Sequence, residues 1–198
     1  MLPAGFCTLH HSPLRTMDGF VGATMRFVRE IQAELKHMHD HGWVHGDVKP
    51  SNMVCVHHAG PERLVNMRAM LIDFEHCVEF SNACTTLFSG TQRYASVRML
   101  NLSRGSSRSC VDEFCYGPAD DFESLFYSAL ELLSLEQRLP WTHKDDIQES
   151  IALRVQVLTN DAYWAALLLD TVHSDAHEFL NAARNAIARK PAVAPFPV

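Results

Sequence analysis

No stretch of the 198 residues approaches the roughly 18 consecutive apolar residues that a membrane-spanning helix needs. The densest runs, around Leu130–Leu135 and Ala165–Leu169, are far shorter. The first residues lack the basic start and apolar core of a secretory signal, so none is expected. Positive charge is scarce as well. Lys plus Arg number 17 against 23 Asp plus Glu, a net charge of −6 with His neutral, which argues against a nucleic-acid surface or a polybasic membrane anchor. The six cysteines (Cys7, Cys55, Cys77, Cys84, Cys110 and Cys115) include no CxxC pair, so reduced thiols are expected rather than disulfides or a structural zinc site. These absences point to a cytoplasmic or nuclear protein with no nucleic-acid and no membrane partner.

What is present is an ordinary core-forming composition, 47% hydrophobic and 20% charged, over a length that suits one domain. Residues 1–23 are expected to be irregular, with Pro3, Gly5, Pro13 and Gly19 breaking any period. From Thr24 to His41, Val28, Ile31, Leu35 and Met38 recur at helical spacing, and Gly42 ends the run. Two short β-rich runs follow, Asn52–Val56 and Ala69–Asp73, separated by a polar loop with Gly60 and Pro61, which predicts a hairpin. Residues 75–120 show little periodicity, and the serine-rich stretch from Ser103 to Ser109 reads as an exposed loop. Asp121–Leu135 is apolar on nearly every side and predicts a buried helix. Ile147, Ile151, Val155 and Leu158 predict another helix, Ala162–Leu169 a third and Ser174–Arg189 a fourth, stopped by Pro191. The histidine pairs His37/His41 and His173/His177 stand at i, i+4 without a third ligand, so exposed helix histidines are expected.

The chemistry is concentrated in His45-Gly46-Asp47-Val48-Lys49-Pro50-Ser51-Asn52, between the first long helix and the first strand, and in Leu71-Ile72-Asp73-Phe74-Glu75 further on. The first segment resembles the catalytic loop of eukaryotic protein kinases, and the second resembles their metal-binding Asp-Phe-Gly segment. The His-Gly-Asp-x-Lys pattern is most similar to the casein kinase one and vaccinia-related group. Gly90-Thr91-Gln92-Arg93-Tyr94-Ala95-Ser96 resembles the end of that group's activation segment. Asp120–Tyr127, followed by Leu139-Pro140-Trp141, resembles its central helix and the turn after it, and Glu178-Phe179-Leu180 through Pro191 its last helix.

The resemblance implies a mainly α (α+β) protein-kinase-like large lobe over residues 24–191, with a small β-hairpin at the catalytic edge, a hinge remnant before it and a tail at 192–198. It implies Asp47 as the group that orients and deprotonates the attacking hydroxyl, and Lys49 as the cation beside the γ-phosphate of ATP. Asn52 and Asp73 become hard oxygen ligands suited to Mg²⁺. Lys49 together with Thr91 resembles the serine/threonine-specific pattern. Asp121 is expected to anchor the loop's backbone amides, and His45 to pack beneath the loop. Residues 1–23 hold no GxGxxG and no strand lysine, so the resemblance reaches the large lobe alone. These residues are expected to transfer no phosphate without a small lobe. The implied partners are a protein substrate or a partner kinase, with self-association through an apolar face where the small lobe sits.

Two other readings stay open. The chain could serve as a pseudokinase, a binding or regulatory lobe. It could also be a small-molecule phosphotransferase of the choline or aminoglycoside kinase type, a reading kept alive by Glu75 where glycine is usual in protein kinases. Gly46 likewise stands where many kinases carry an arginine.

Overall fold

The computed structural model describes residues 6–9, 19–57, 67–79, 84–85, 90–104 and 114–189. Gly19, left-handed at φ 81°, opens helix α1, which runs Phe20–Asp40. Its inner face includes Phe20, Ala23, Phe27, Val28, Ile31 and Leu35. The helix therefore begins four residues before the expected Thr24. The aromatic positions Phe20 and Phe27 extend the same stripe, so the boundary at residue 23 does not mark the end of irregular chain.

A second correction lies further upstream. Phe6–Thr8 is a strand, β1, not irregular chain. After the two-residue strand β2 (Trp43–Val44) come β3 (Met53–His57) and β4 (Met67–Leu71). β1 pairs antiparallel with β3, and β3 with β4, so the expected hairpin is two strands of a three-stranded sheet ordered β1-β3-β4. Strand pairing is non-local information, invisible in the Pro- and Gly-punctuated sequence before residue 20. The residues between β3 and β4, Gly60 and Pro61 included, lie outside the described set, as does 190–198 with Pro191.

The outer edge of β4 is closed by α1. Glu30 Oε2 accepts the Ala69 N–H at 2.7 Å, Glu34 Oε2 accepts the Leu71 N–H at 2.8 Å, and Arg26 Nη1 donates to the Met67 carbonyl at 2.8 Å. Three side chains one helical turn apart thus replace the missing neighbour strand. Burial pushes the Glu34 carboxyl above its ordinary pKa; the Leu71 N–H pulls it back, and the Glu30 charge adds to the rise. A raised carboxyl favours the fold when protonated, and that stability is lost as pH climbs through the folded-state value. Glu34→Gln is therefore expected to raise the thermal midpoint at neutral pH, with the gain shrinking toward about pH 4. Melting curves at both pH values check it; a lower midpoint at neutral pH would show that the carboxylate's bond to Leu71 outweighs its burial.

The rest is helical. Strand β5 (Val78–Glu79) pairs with β2, and strand β6 (Cys84–Thr85) with β7 (Phe114–Cys115). Helix α2 spans Val97–Arg104, in a region without legible periodicity, and takes Ser103 and Arg104 out of the expected loop; residues 105–109 are outside the described set. Helix α3 (Pro118–Leu133) is buried along most of its length, packed on α1, with α4 (Ile147–Thr159), α5 (Asp161–Thr171) and α6 (His177–Arg189) completing the bundle. Trp141, Trp164 and Phe126 sit in the core. Val155 does not: α4 buries Ser150, Ile151, Arg154 and Val157, which turns Val155 to solvent. Mainly helical architecture with small antiparallel strand pairs is the fold class expected. No helix among the described residues is long and apolar enough to cross a membrane.

Candidate active site

The loop between β2 and β3 is held from below by α3. Asp121, in the first turn of that helix, accepts the His45 N–H at 2.8 Å on Oδ2 and the Gly46 N–H at 2.9 Å on Oδ1. His39 of α1 brings Nε2 to 2.9 Å from the same Oδ2; facing a carboxylate, that nitrogen is assigned the proton. Asp121 therefore ties three backbone and side-chain donors to one buried carboxylate. His45 is wholly buried, its Nδ1 accepting the Asp47 N–H at 3.3 Å and its Nε2 lying 3.2 Å from the Ile72 carbonyl. Both residues do what the sequence reading expected of them.

Gly46 has φ 79°, and a Cβ there would come within 2.8 Å of the His76 carbonyl oxygen. The backbone conformation and the close approach of the segment after Asp73 both require glycine at this position. No arginine fits while that conformation is kept.

Asp47 is buried and fully engaged. Its Oδ2 takes Lys49 Nζ at 2.5 Å, its Oδ1 takes the Thr91 N–H at 2.8 Å, and Asn52 Nδ2 reaches its carbonyl at 3.0 Å and its Oδ2 at 3.3 Å. Lys49 Nζ also donates to Thr91 Oγ1 at 3.0 Å. Burial alone would raise the Asp47 carboxyl, but the hydrogen bonds from Lys49 and Thr91 and the Lys49 charge outweigh it and hold the group below its ordinary value. It is an ionised carboxylate throughout the neutral range.

Asn52 and Asp73, 21 residues apart in sequence, are brought to the same end of the β3·β4 pair, Asn52 opposite Ile72 and Asp73 one residue beyond. Met53 opposes Leu71 in the β3·β4 ladder, and the Ile72 N–H donates to the Asn52 carbonyl at 3.0 Å. Asn52 is buried with its amide nitrogen turned on Asp47, and Asp73 is exposed in the left-handed conformation at φ 69° and ψ 65°. Phe74 next to it is 52% exposed, its ring 5.3 Å from His45. The neighbouring Glu75 is exposed and lies 3.5 Å from His76 Nε2. Asp47, Lys49 and Asn52 are thus gathered at the end of the β3·β4 pair that Asp73 also leaves, with Gly90 and Thr91 closing over Asp47.

The family model described as the protein kinase domain matches residues 17–182. The chain belongs to the protein kinase family. A casein kinase I of Caenorhabditis elegans is 35% identical over 123 residues, covering 58% of this chain and 31% of that protein. A casein kinase 1-like protein of Oryza sativa subsp. japonica is 34% identical over 117 residues, 54% of this chain and 14% of that protein. A serine/threonine-protein kinase of Dictyostelium discoideum is 31% identical over 148 residues, 68% of this chain and 26% of that protein. The matched part spans about a third or less of the length of each.

This kinase-family chain also carries a buried polar network that motif reading missed. Glu131, buried in α3, accepts Arg93 Nη2 on one oxygen and the Tyr94 hydroxyl on the other. Arg154, completely buried in α4, donates to the Gln92 and Arg93 carbonyls at 2.8 and 2.9 Å, and its guanidinium lies 4.2 Å from the Trp141 ring centroid. Asp120 takes Ser96 Oγ at 2.6 Å together with the Arg98 guanidinium. These contacts fix Gln92–Arg98, the stretch that follows Thr91. A signal existed: a carboxylate inside a helix as apolar as α3 needs buried partners, and Arg154 falls at the helical spacing that joins Ile151 to Val157. Of the histidine pairs, His37 and His41 are exposed as expected, with His41 Nδ1 donating to the His37 carbonyl at 2.7 Å. His173 and His177 are half-buried instead, and His177 Nε2 lies 3.2 Å from the Val172 carbonyl.

Proposed function

We propose that the chain is the large lobe of a serine/threonine protein kinase of the casein kinase one type, which passes the γ-phosphoryl group of Mg·ATP to a protein hydroxyl. The observation that carries this reading is Lys49 Nζ bridging Asp47 Oδ2 and Thr91 Oγ1. That bridge sets a carboxylate base, a cation and a hydroxyl within one hydrogen-bonded unit. Asp47, kept ionised, orients the substrate hydroxyl and accepts its proton. Lys49 presents its charge where a γ-phosphate oxygen would lie next to that hydroxyl.

The donor set suits Mg²⁺. Asn52 has its amide nitrogen committed to Asp47, which leaves the oxygen as its metal-facing end, and Asp73 is an exposed carboxylate at the same end of the strand pair. Both are hard oxygen ligands. The metal would neutralise charge on the phosphate oxygens; the protein's part is to position and to hold the proton. The partial exposure of Met70 and Phe74 beside the site fits a face that a small lobe would cover. The small-molecule alternative rested on Glu75 as an additional ligand, and the proximity of its carboxylate to His76 weighs against that role.

The test is transfer of labelled phosphate from ATP to serine- and threonine-containing peptides by the full gene product. Asp47→Asn is expected to lower transfer by about 10²–10⁴-fold and, because it gives up the ion pair with Lys49, to lower the unfolding midpoint while the variant stays folded at the assay temperature. Equal transfer by parent and variant would overturn the role of Asp47, and transfer to a small alcohol in place of peptides would favour the small-molecule reading.

A further inference from the structure

The last turn of α1 carries two imidazoles side by side on the surface. His37 and His41 are both exposed, one turn apart, with ring centroids 4.3 Å apart and ring planes tilted by 50°. The His41 ring is held in place. Its Nδ1 donates to the His37 carbonyl at 2.7 Å, a proton assigned to that nitrogen because a carbonyl can only accept. With the proton on Nδ1, the Nε2 lone pair of His41 is left for a metal. A ligand imidazole whose other nitrogen donates to a backbone carbonyl is a recurrent arrangement at protein metal sites, and it fixes both tautomer and orientation. Here the carbonyl belongs to the second histidine of the pair.

A ring nitrogen stands about 1.1 Å from its own centroid, and an imidazole–metal bond adds about 2.0–2.1 Å. One ion bound to both rings would thus lie a little over 3 Å from each centroid and see the two at roughly a right angle. That angle separates neighbouring ligands in square-planar and octahedral shells, and it is narrower than the tetrahedral angle of structural zinc. The charges nearby are permissive. The negative end of the α1 dipole favours a cation at this turn, and the Lys36 ammonium is already met by Asp40 at 2.6 Å. Spacing alone does not make such a site. His173 and His177 have the same separation in sequence, but His173 lies before α6, both are half-buried, and His177 turns Nε2 to the Val172 carbonyl.

We propose that His37 and His41 form a surface chelate for a divalent transition metal of the Ni²⁺ or Cu²⁺ kind, water completing its shell, and that the bound ion clamps the last turn of α1. Two metal–nitrogen bonds replace two metal–water bonds and close a ring across one helical turn. The clamp bears on the candidate active site, because His39 reaches from the same turn to Asp121. The turn then ends at Gly42, just before β2 and the catalytic loop.

The test titrates Ni²⁺ into the full chain by calorimetry, beside His37→Ala, His41→Ala, the double variant and His173→Ala. The expected result is one site tighter than the rest, weakened about tenfold or more in each single variant, no weaker in the double, and unchanged by His173→Ala. A second readout is amide exchange at His41 and Gly42, whose N–H groups donate to the Met38 and His39 carbonyls at 3.0 Å each. Saturating Ni²⁺ should slow both about threefold or more in the parent and in neither single variant. A tightest site that survives either substitution, or losses that simply add in the double variant, would overturn the chelate. Exchange unaltered by Ni²⁺ in the parent would overturn the clamp. Neither readout uses phosphoryl transfer, so the outcome does not depend on the kinase reading.

Discussion

Asp121→Ala is expected to lower folding stability by about 3–5 kcal/mol, because it leaves the N–H groups of buried His45 and half-buried Gly46 without an acceptor and removes a partner of His39. Each orphaned buried donor costs about 1–3 kcal/mol. Those amides belong to the two residues before Asp47, so the damage is local as well as global. Hydrogen exchange at His45 and Gly46 should accelerate more than exchange in the α5 and α6 helices. Asp121→Asn keeps one acceptor oxygen and the shape of the side chain, and should cost about half as much. Urea unfolding of the two variants beside the parent makes the comparison. A loss below about 1 kcal/mol for the alanine variant would mean that the loop finds other acceptors and that α3 does not hold it in place.

The second large effect belongs to Arg154. Its guanidinium satisfies the Gln92 and Arg93 carbonyls, stacks against Trp141 and packs near Tyr127, with no exposure to water. Burial lowers its pKa to about 10, against the pull of Tyr127 and Glu123, so it stays charged at neutral pH. Arg154→Ala removes the donors and opens a cavity the size of a large side chain, for an expected loss of about 3–5 kcal/mol. Arg154→Lys should recover little, since one ammonium cannot reproduce the planar fork that reaches two carbonyls while lying on a ring. Thermal unfolding separates the possibilities. A lysine variant as stable as the parent would show that charge alone matters and that the fork geometry does not.

Which parts of this molecule were legible in the sequence follows from how local their causes are. Asp47, Lys49 and Asn52 are close in sequence and so close in space, and the hairpin that brings Asn52 and Asp73 to one end of the sheet announces itself by two β-rich runs around a turn. Asp121 was legible because a carboxylate entering an apolar helix must be satisfied. β1 was not, since three residues acquire strand character from pairing with Cys55 and its neighbours some 48 positions away. Helix α2 was missed because its eight residues are stabilised by tertiary contacts, Ser96 and Asp120 at its start among them, more than by their own periodicity. On α4, the choice between Arg154 and Val155 as the inward position was decided against hydrophobicity, because the core at that point offers carbonyls and rings to a guanidinium.

The register of β3 against β4 has a consequence for how such a chain tolerates insertion and deletion. Asn52 and Asp73 reach the same end of the paired strands by counting from Met53 opposite Leu71, Asn52 one residue before it and Asp73 two after, not by the number of residues that join the strands. A change in the number of residues that join the two strands therefore leaves Asn52 and Asp73 at that shared end so long as the pairing is kept. Loss or gain of a single residue inside either strand would instead shift the pairing by one and turn the side chains beyond it to the other face of the sheet.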